Sequence, residues 1–460
     1  MIKFFGTDGI RGIFNKEPIT EKFFKNISLS LVYLIKNKSL SPKIVIGYDT
    51  RSTSLVLKNA IIENFIQHGI DVKDYSYTTT SSIAFLSKDT NISFGIMITA
   101  SHNDAEYNGI KIFNNQGFKI SDILENEIEE VLYKIINNKF DEISIQSRYI
   151  GKYIINTLES YNQYLFNYFK NTIDYSNEII IDLANGSACF VIEKIRKHFN
   201  LNLKYIHNNP NGININKECG VLSHNSLSQM IIKNNANFGI AFDGDADRIL
   251  FIDNKGMPID NDQILGLFVF ELLQENKLQI GDTVIGTEVS SFGLEKYINI
   301  LGLKFKRTKI GDKHVINEII NNPRSVGGEK SGHLIISHDY LTSDGIFTFL
   351  MILKLLTKYN NKSLREISDK FTVMPRIEYN ISYENQVNLD DKSFIESVKK
   401  LKNDYNALII IRKSGTENVI RIVIESKNNK INNIILKKLI TAYNGLIAKQ
   451  SANPYLLYQA

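Results

Sequence analysis

Two periodicities alternate along this chain. Short unbroken apolar runs, such as Phe94–Ile98 and Phe238–Phe242, give way to longer stretches where apolar residues recur every three or four positions. The first pattern predicts strands buried on both faces, and the second predicts amphipathic helices. Strands are expected at Ile44–Asp49, Phe94–Ile98, Ile179–Asp182, Lys204–Ile206, Phe238–Phe242, Ile249–Ile252, Thr283–Thr287 and Phe305–Lys309. Helices are expected at Thr20–Asn37, Ser54–His68, Leu124–Asn137, Leu158–Phe169, Ala188–Phe199, Asp262–Gln274, Gly293–Ile300 and Gly345–Leu356. The βαβ rhythm restarts near Ile179 and again near Thr283, which predicts three α/β units of similar size. From about Arg376 to Ala460 the pattern is that of a smaller α+β unit. Seams fall in the polar stretch Asp141–Lys152, at the turn Gly256–Asp260 and near Met374–Arg376. The expected domains are therefore 1–152, 153–255, 256–372 and 373–460.

Composition narrows the class. The chain has 460 residues, 43% hydrophobic and 22% charged, which is globular and long enough for several domains. The net charge of +5 is spread along the chain, so anionic small substrates suit it better than nucleic acid. No aromatic-basic platform or zinc-finger spacing is present. No apolar run is long enough to span a bilayer, and the first residues do not read as a secretory leader. The only two cysteines, Cys189 and Cys219, make no CxxC and no disulfide framework. A reducing, cytoplasmic setting without a membrane partner is expected.

Candidate chemistry sits where the apolar runs end, as it does at the carboxyl ends of strands in α/β sheets. Thr99-Ala100-Ser101-His102-Asn103 follows one such run. A hydroxyl beside an imidazole there is either a nucleophile or part of a polar loop with local hydrogen bonds. Phe5–Gly12 packs three glycines and Arg11 into eight residues, which reads as a phosphate-approaching loop or as a terminal turn. Lys111, entering a strand after Asn108-Gly109, is by itself best read as a solvated edge charge; the alternative is an acid/base or clamp facing the serine loop. Asp243, Asp245 and Asp247 alternate with Gly244 and Ala246 between two apolar strands. Converging carboxylates repel unless a cation sits between them, and a hard divalent ion such as Mg²⁺ is the natural partner. An EF-hand is excluded, because it needs Gly where Arg248 stands and Glu where Asn254 stands. Gly327–His333 exposes backbone beside Glu329, Ser331 and His333, which suits sugar hydroxyls or is simply a glycine-rich turn. Two strand-like runs, Leu408–Ile411 and Val419–Ile424, bracket Arg412-Lys413-Ser414-Gly415-Thr416-Glu417. That loop, with Arg421, reads as a phosphate cradle without P-loop spacing; a surface hairpin with two solvated arginines is the alternative.

Together these motifs resemble the α-D-phosphohexomutase superfamily. The resemblance rests on FGTDGIRG (Phe5–Gly12), TASHN (Thr99–Asn103), NGIK (Asn108–Lys111), DGDADR (Asp243–Arg248), GGEKSGH (Gly327–His333) and RKSGTE (Arg412–Glu417), in family order over nearly the whole chain. It implies three related α/β mixed-sheet domains plus a C-terminal α+β domain around a central cleft. Ser101 is implied to be phosphorylated, and to share one Mg²⁺ with Asp243, Asp245 and Asp247. Arg11, His102 and Lys111 match residues near the transferring phosphate. Arg248, Glu329, Ser331 and His333 match the sugar site, and Arg412, Ser414, Gly415, Thr416 and Arg421 the site for the other phosphate. Within the superfamily the motifs are nearest the branch that interconverts glucosamine 6-phosphate and glucosamine 1-phosphate, through a sugar 1,6-bisphosphate, towards UDP-N-acetylglucosamine and cell-wall synthesis. The branch acting on mannose and glucose phosphates is the alternative. That glucosamine branch usually carries Gln where Lys330 stands. A homodimer is left open.

Overall fold

The computed structural model describes residues 3–141, 145–322, 324–336, 342–360, 362–383, 387–414 and 418–452. Four sheets succeed one another along the chain. The first has six strands in the order Ile10–Ile13, Tyr107–Asn114, Phe94–Ile98, Lys43–Tyr48, Asp71–Tyr77 and Tyr153–Ile155. Its inner pairs are parallel, while Tyr107–Asn114 runs antiparallel to both neighbours. The second sheet places Phe238–Phe242 between Ile179–Asp182, parallel, and Ile249–Asp253, antiparallel. In the third, Thr283–Thr287 lies between Lys304–Thr308 and Val326–Gly328, both parallel, and Leu334–Ile335 folds back antiparallel. The fourth is antiparallel throughout, with Val419–Glu425 between Arg376–Ser382 and Leu408–Lys413.

One device recurs in the three α/β units. A strand runs out, a short loop follows, and an antiparallel strand returns. Ile98 pairs with Ile110, Phe242 with Ile249, and Gly328 with Leu334. The loops so presented are the Ser101 loop, the Asp243–Arg248 loop and the Glu329–His333 loop. The apolar runs that end at these loops are buried along their whole length, as expected of central strands covered on both faces.

Packing differs between the units. The second and third share one continuous core, into which the helix Gly345–Lys358 sinks apolar residues on all sides. The first unit and the C-terminal unit each have a core of their own. The observed architecture is thus the expected one: three α/β units with mixed sheets and a C-terminal α+β unit. Several elements depart from expectation. Asp71–Tyr77 is a strand although four of its seven residues are charged or serine, and Thr80–Ser87 is a helix without a strong apolar stripe; Asn225–Asn234, also not expected, is a helix with Leu227, Met230 and Ile231 on one face. The helix Asp312–Asn321, for which no element was expected, follows the strand at Lys304–Thr308. Among the described residues no helix is long and apolar enough to cross a membrane.

Candidate active site

The Ser101 loop and the acidic loop meet tip to tip. Ser101 Oγ lies 2.6 Å from Asp243 Oδ2, and both residues are buried. Ser101 and Ala246 both adopt left-handed backbone (φ 51° and 55°), an uncommon conformation for residues with a Cβ that clusters at functional sites. The approach is so close that a Cβ on Gly244 would stand 2.7 Å from the Ser101 carbonyl oxygen. Only glycine allows it.

Arg51 holds the serine loop in shape. This fully buried guanidinium directs Nε to Asp49 Oδ2 at 2.9 Å. Its remaining donors reach the carbonyl oxygens of Ser101 (3.1 Å), Asn103 (2.7 Å), Tyr107 (2.9 Å) and Asp104. All five N–H groups of the side chain are thereby used. Asp49 also accepts from Thr99 Oγ1 at 2.7 Å, and Thr99 Oγ1 in turn accepts from the Ser101 amide at 2.9 Å. From the second unit, Asn216 Nδ2 donates to the carbonyls of Ser101 and Asn103 at 2.8 and 2.9 Å. Sequence reasoning missed Arg51, Asp49 and Asn216. The Asp49–Arg51 step, at the end of a predicted strand, was the signal available for the first two.

Lys111 is not the solvated edge charge that its own stretch favoured. It is buried, with Nζ 2.7 Å from Asp245 Oδ2 and 2.5 Å from Asp247 Oδ2. Burial opposes its charge, but the two carboxylates outweigh burial and raise its pKa. The three aspartates respond unequally. Burial, then Asp247 and Asp245, push the Asp243 carboxyl up to about 7. Burial and Asp247 also act against ionisation of Asp245, yet Lys111 and Thr80 lower its pKa. Asp247 overcomes burial through Lys111, His333 and Arg248, and falls well below the usual carboxylate range.

A divalent cation fits this loop. The three carboxylates each offer an oxygen within 4.8 Å of the others. Asp245 Oδ1 is buried and has no hydrogen-bond partner. An orphaned buried carboxylate oxygen is costly unless a cation or donor meets it.

The third loop also arrives. His333 Nε2 lies 3.0 Å from Asp247 Oδ1, and its Nδ1 lies 2.8 Å from Glu329 Oε2. Burial lowers the His333 pKa, but Asp247 and Glu329 lift it to about 9, so the ring is an imidazolium that donates to both. The approach of Arg248 Nε to His333 Nε2, 3.1 Å, is then a contact between cations and not a hydrogen bond. Glu329 Oε1 accepts from the Gly311 amide at 2.8 Å. Ser331 is exposed.

Arg11 pairs with Asp8, whose other oxygen takes Lys119; Lys119 continues to Asp312 Oδ2 at 2.6 Å, joining the first unit to the third. Arg11 Nε and His102 Nδ1 are buried without hydrogen-bond partners. Burial, with Arg248 and Arg11 nearby, pushes the His102 pKa down to about 3, so its ring is neutral. Lys119 and Asp312 carried no signal in the sequence. The last predicted group stays on its own sheet, where Arg412 stands opposite Arg421 and the Ser414 amide donates to the Val419 carbonyl at 2.8 Å. Gly415 and Thr416 lie outside the described residues.

A buried serine and an acidic triplet meeting across two related α/β units, with a third unit closing beside them, define a class. The chain belongs to the phosphoglucomutase/phosphomannomutase family of phosphohexomutases. Its alpha/beta/alpha domain I matches residues 3–139, domain II residues 158–256 and domain III residues 260–374. A phosphoglucosamine mutase of Caldicellulosiruptor saccharolyticus is 38% identical over 438 residues, covering 93% of this chain and 96% of that one. Solved structures share the fold. A phosphoglucomutase/phosphomannomutase family protein from Burkholderia thailandensis superposes with TM-score 0.78 at 18% identity, over 97% of this chain and 99% of that one. An N-acetylphosphoglucosamine mutase from Aspergillus fumigatus, solved with GlcNAc-6P and magnesium, superposes with TM-score 0.63 at 16% identity, over 96% of each.

Proposed function

We propose that this phosphohexomutase interconverts glucosamine 6-phosphate and glucosamine 1-phosphate in the cytoplasm, supplying UDP-N-acetylglucosamine and cell-wall synthesis. Phosphorylated Ser101 gives its phosphoryl group to the free hydroxyl of the sugar monophosphate, forming the 1,6-bisphosphate. The bisphosphate turns round, and its other phosphoryl group returns to Ser101. The observation that carries this reading is the 2.6 Å approach of the Ser101 hydroxyl to the acidic triplet across two separate units.

Asp243, Asp245 and Asp247, with the phosphate on Ser101, would hold one Mg²⁺, which would neutralise charge on the transferring group. Lys111 is the proton carrier at the sugar oxygen, supported by its place against Asp245 and Asp247. Arg11 and His102 orient the phosphoryl group, and their unpartnered buried nitrogens support that role. Arg248, Glu329, Ser331 and His333 read the sugar. Arg412, Ser414 and Arg421, with Gly415 and Thr416, take the phosphate that is not reacting. These duties divide over domains 1–152, 153–255, 256–372 and 373–460, in that order.

The name of the relative at 38% identity favours glucosamine over plain hexose. Lys330 does not oppose an amino sugar, because its ammonium is already matched by Asp260 Oδ2 at 2.7 Å. The test is phosphosite mapping of the purified protein, followed by turnover of glucosamine, mannose and glucose phosphates side by side. Phosphate on Ser101 that is lost on adding glucosamine 6-phosphate supports the reading. Faster turnover of the hexose phosphates overturns the sugar assignment, and phosphate elsewhere overturns the nucleophile.

A further inference from the structure

The only two cysteines of the chain, thirty positions apart in sequence, both come to the surroundings of His207. Cys189 Sγ is 3.9 Å from the His207 carbonyl oxygen. Cys219 is buried, and a donor atom of each of Asp182, His207 and Cys219 lies within 4.8 Å of the other two. These are carboxylate, imidazole and thiol, the three ligand types that zinc-class ions accept.

The local geometry resembles a ligand set more than a finished hydrogen-bond network. Asp182 is fully buried and held by two backbone donors, the amides of Ala184 and Gly220, each at 2.9 Å. This is how a ligating carboxylate is kept in orientation. His207 Nδ1 stands 3.0 Å from Asp182 Oδ2 and is itself shielded from solvent, yet it makes no aligned hydrogen bond. His207 is held in left-handed backbone (φ 47°), and its ring remains partly exposed, leaving a way in.

We propose that Asp182, His207 and Cys219 form a second, thiophilic metal site that takes one Zn²⁺-class ion, separate from the acidic triplet. Charge balances, because one carboxylate, one thiolate and one neutral imidazole offset a divalent ion to zero. The Cys219 proton leaves to solvent on binding, together with that of His207 where it is charged. Without metal the thiol stays protonated, since burial pushes it up to about 12. The site also bears on Ser101. His207 and Cys219 flank the loop that carries Asn216, which grips the Ser101 and Asn103 carbonyls. An ion there ties down both ends of that loop.

The probe is Co²⁺, titrated into the metal-stripped full-length protein with Mg²⁺ in large excess to fill the acidic triplet. We expect one equivalent to bind with a thiolate-to-cobalt charge-transfer band, and Zn²⁺ to abolish that band. The band persists in Cys189→Ser and disappears in Cys219→Ser. In His207→Gln, Co²⁺ affinity falls by roughly tenfold or more. Absence of the band in the folded wild-type protein overturns the proposal without recourse to any variant. A band that survives Cys219→Ser but is lost in Cys189→Ser overturns the ligand assignment.

Discussion

The junction at Ser101 and the hairpin at Arg412–Arg421 are built on opposite principles. At the junction, Ser101, Lys111 and all three aspartates are buried, and contacts cross between units at Ser101–Asp243, Lys111–Asp245, Lys119–Asp312 and His333–Asp247. The hairpin stands on a unit with its own core. That unit is tied to the rest through Glu425 Oε2, which accepts the Phe292 amide at 2.8 Å, and through Arg376 Nη1, which donates to the Val289 carbonyl at 3.0 Å. Phosphoryl transfer depends on atoms held within a fraction of an ångström, whereas capture of a remote phosphate depends on charge and can tolerate movement. The contrast predicts that damage at the junction should strike turnover and stability together, and damage at the hairpin should strike binding alone.

The largest effect that would sharpen this contrast is at Ser101, the proposed nucleophile. Ser101→Ala should lower kcat on the order of 10⁴-fold or more, measured by coupled assay, with no phosphate found by intact mass. Next comes Arg51, which touches no substrate. Arg51→Met strips the loop carbonyls of their donors and leaves Asp49 buried and unmatched. Removing one partner of a buried ion pair costs about 3–5 kcal/mol, so urea unfolding should register a loss of that size alongside a fall in kcat. Unchanged stability would break the comparison at its root. At the hairpin, Arg421→Ala should raise KM about 10- to 100-fold, the worth of the charge-assisted bond to phosphate proposed for it, with little change in the urea midpoint. A drop in kcat at unchanged KM would show the hairpin to be part of the chemical site. The smallest effect is expected of Lys330→Gln, which removes a partly exposed pair with Asp260. Unfolding should shift by less than about 1 kcal/mol, and the preference between glucosamine and glucose phosphates should hold.

Much of the frame was legible. Phe94–Ile98, Ile179–Asp182, Phe238–Phe242 and Thr283–Thr287 fall where the apolar runs placed them. Central strands of covered sheets must be apolar without interruption, so their ends stand out. Asp71–Tyr77 did not stand out, because it alternates buried and half-buried positions and its polar residues are satisfied locally, as Asp74 is by Lys58 at 2.9 Å. Thr80–Ser87 begins with small hydroxyl residues, which favour caps and turns, and it is helical because the second unit covers it: Thr80 bonds Asp245. Lys111 misled because a charge at a strand entrance is usually solvated. Its partners lie more than a hundred residues away.

The sequence alone determined the punctuation of the chain: which runs must be buried, where each stops, and which reactive groups are left at the stops. Those features are local, since a residue's hydrophobicity and a glycine's freedom travel with the residue. Only the tertiary structure decided which stops face one another, that four donors of Arg51 shape a loop fifty residues on, and which of three neighbouring aspartates carries the raised pKa. Those outcomes depend on distance and burial in space, and electrostatic energy in a desolvated site depends on both.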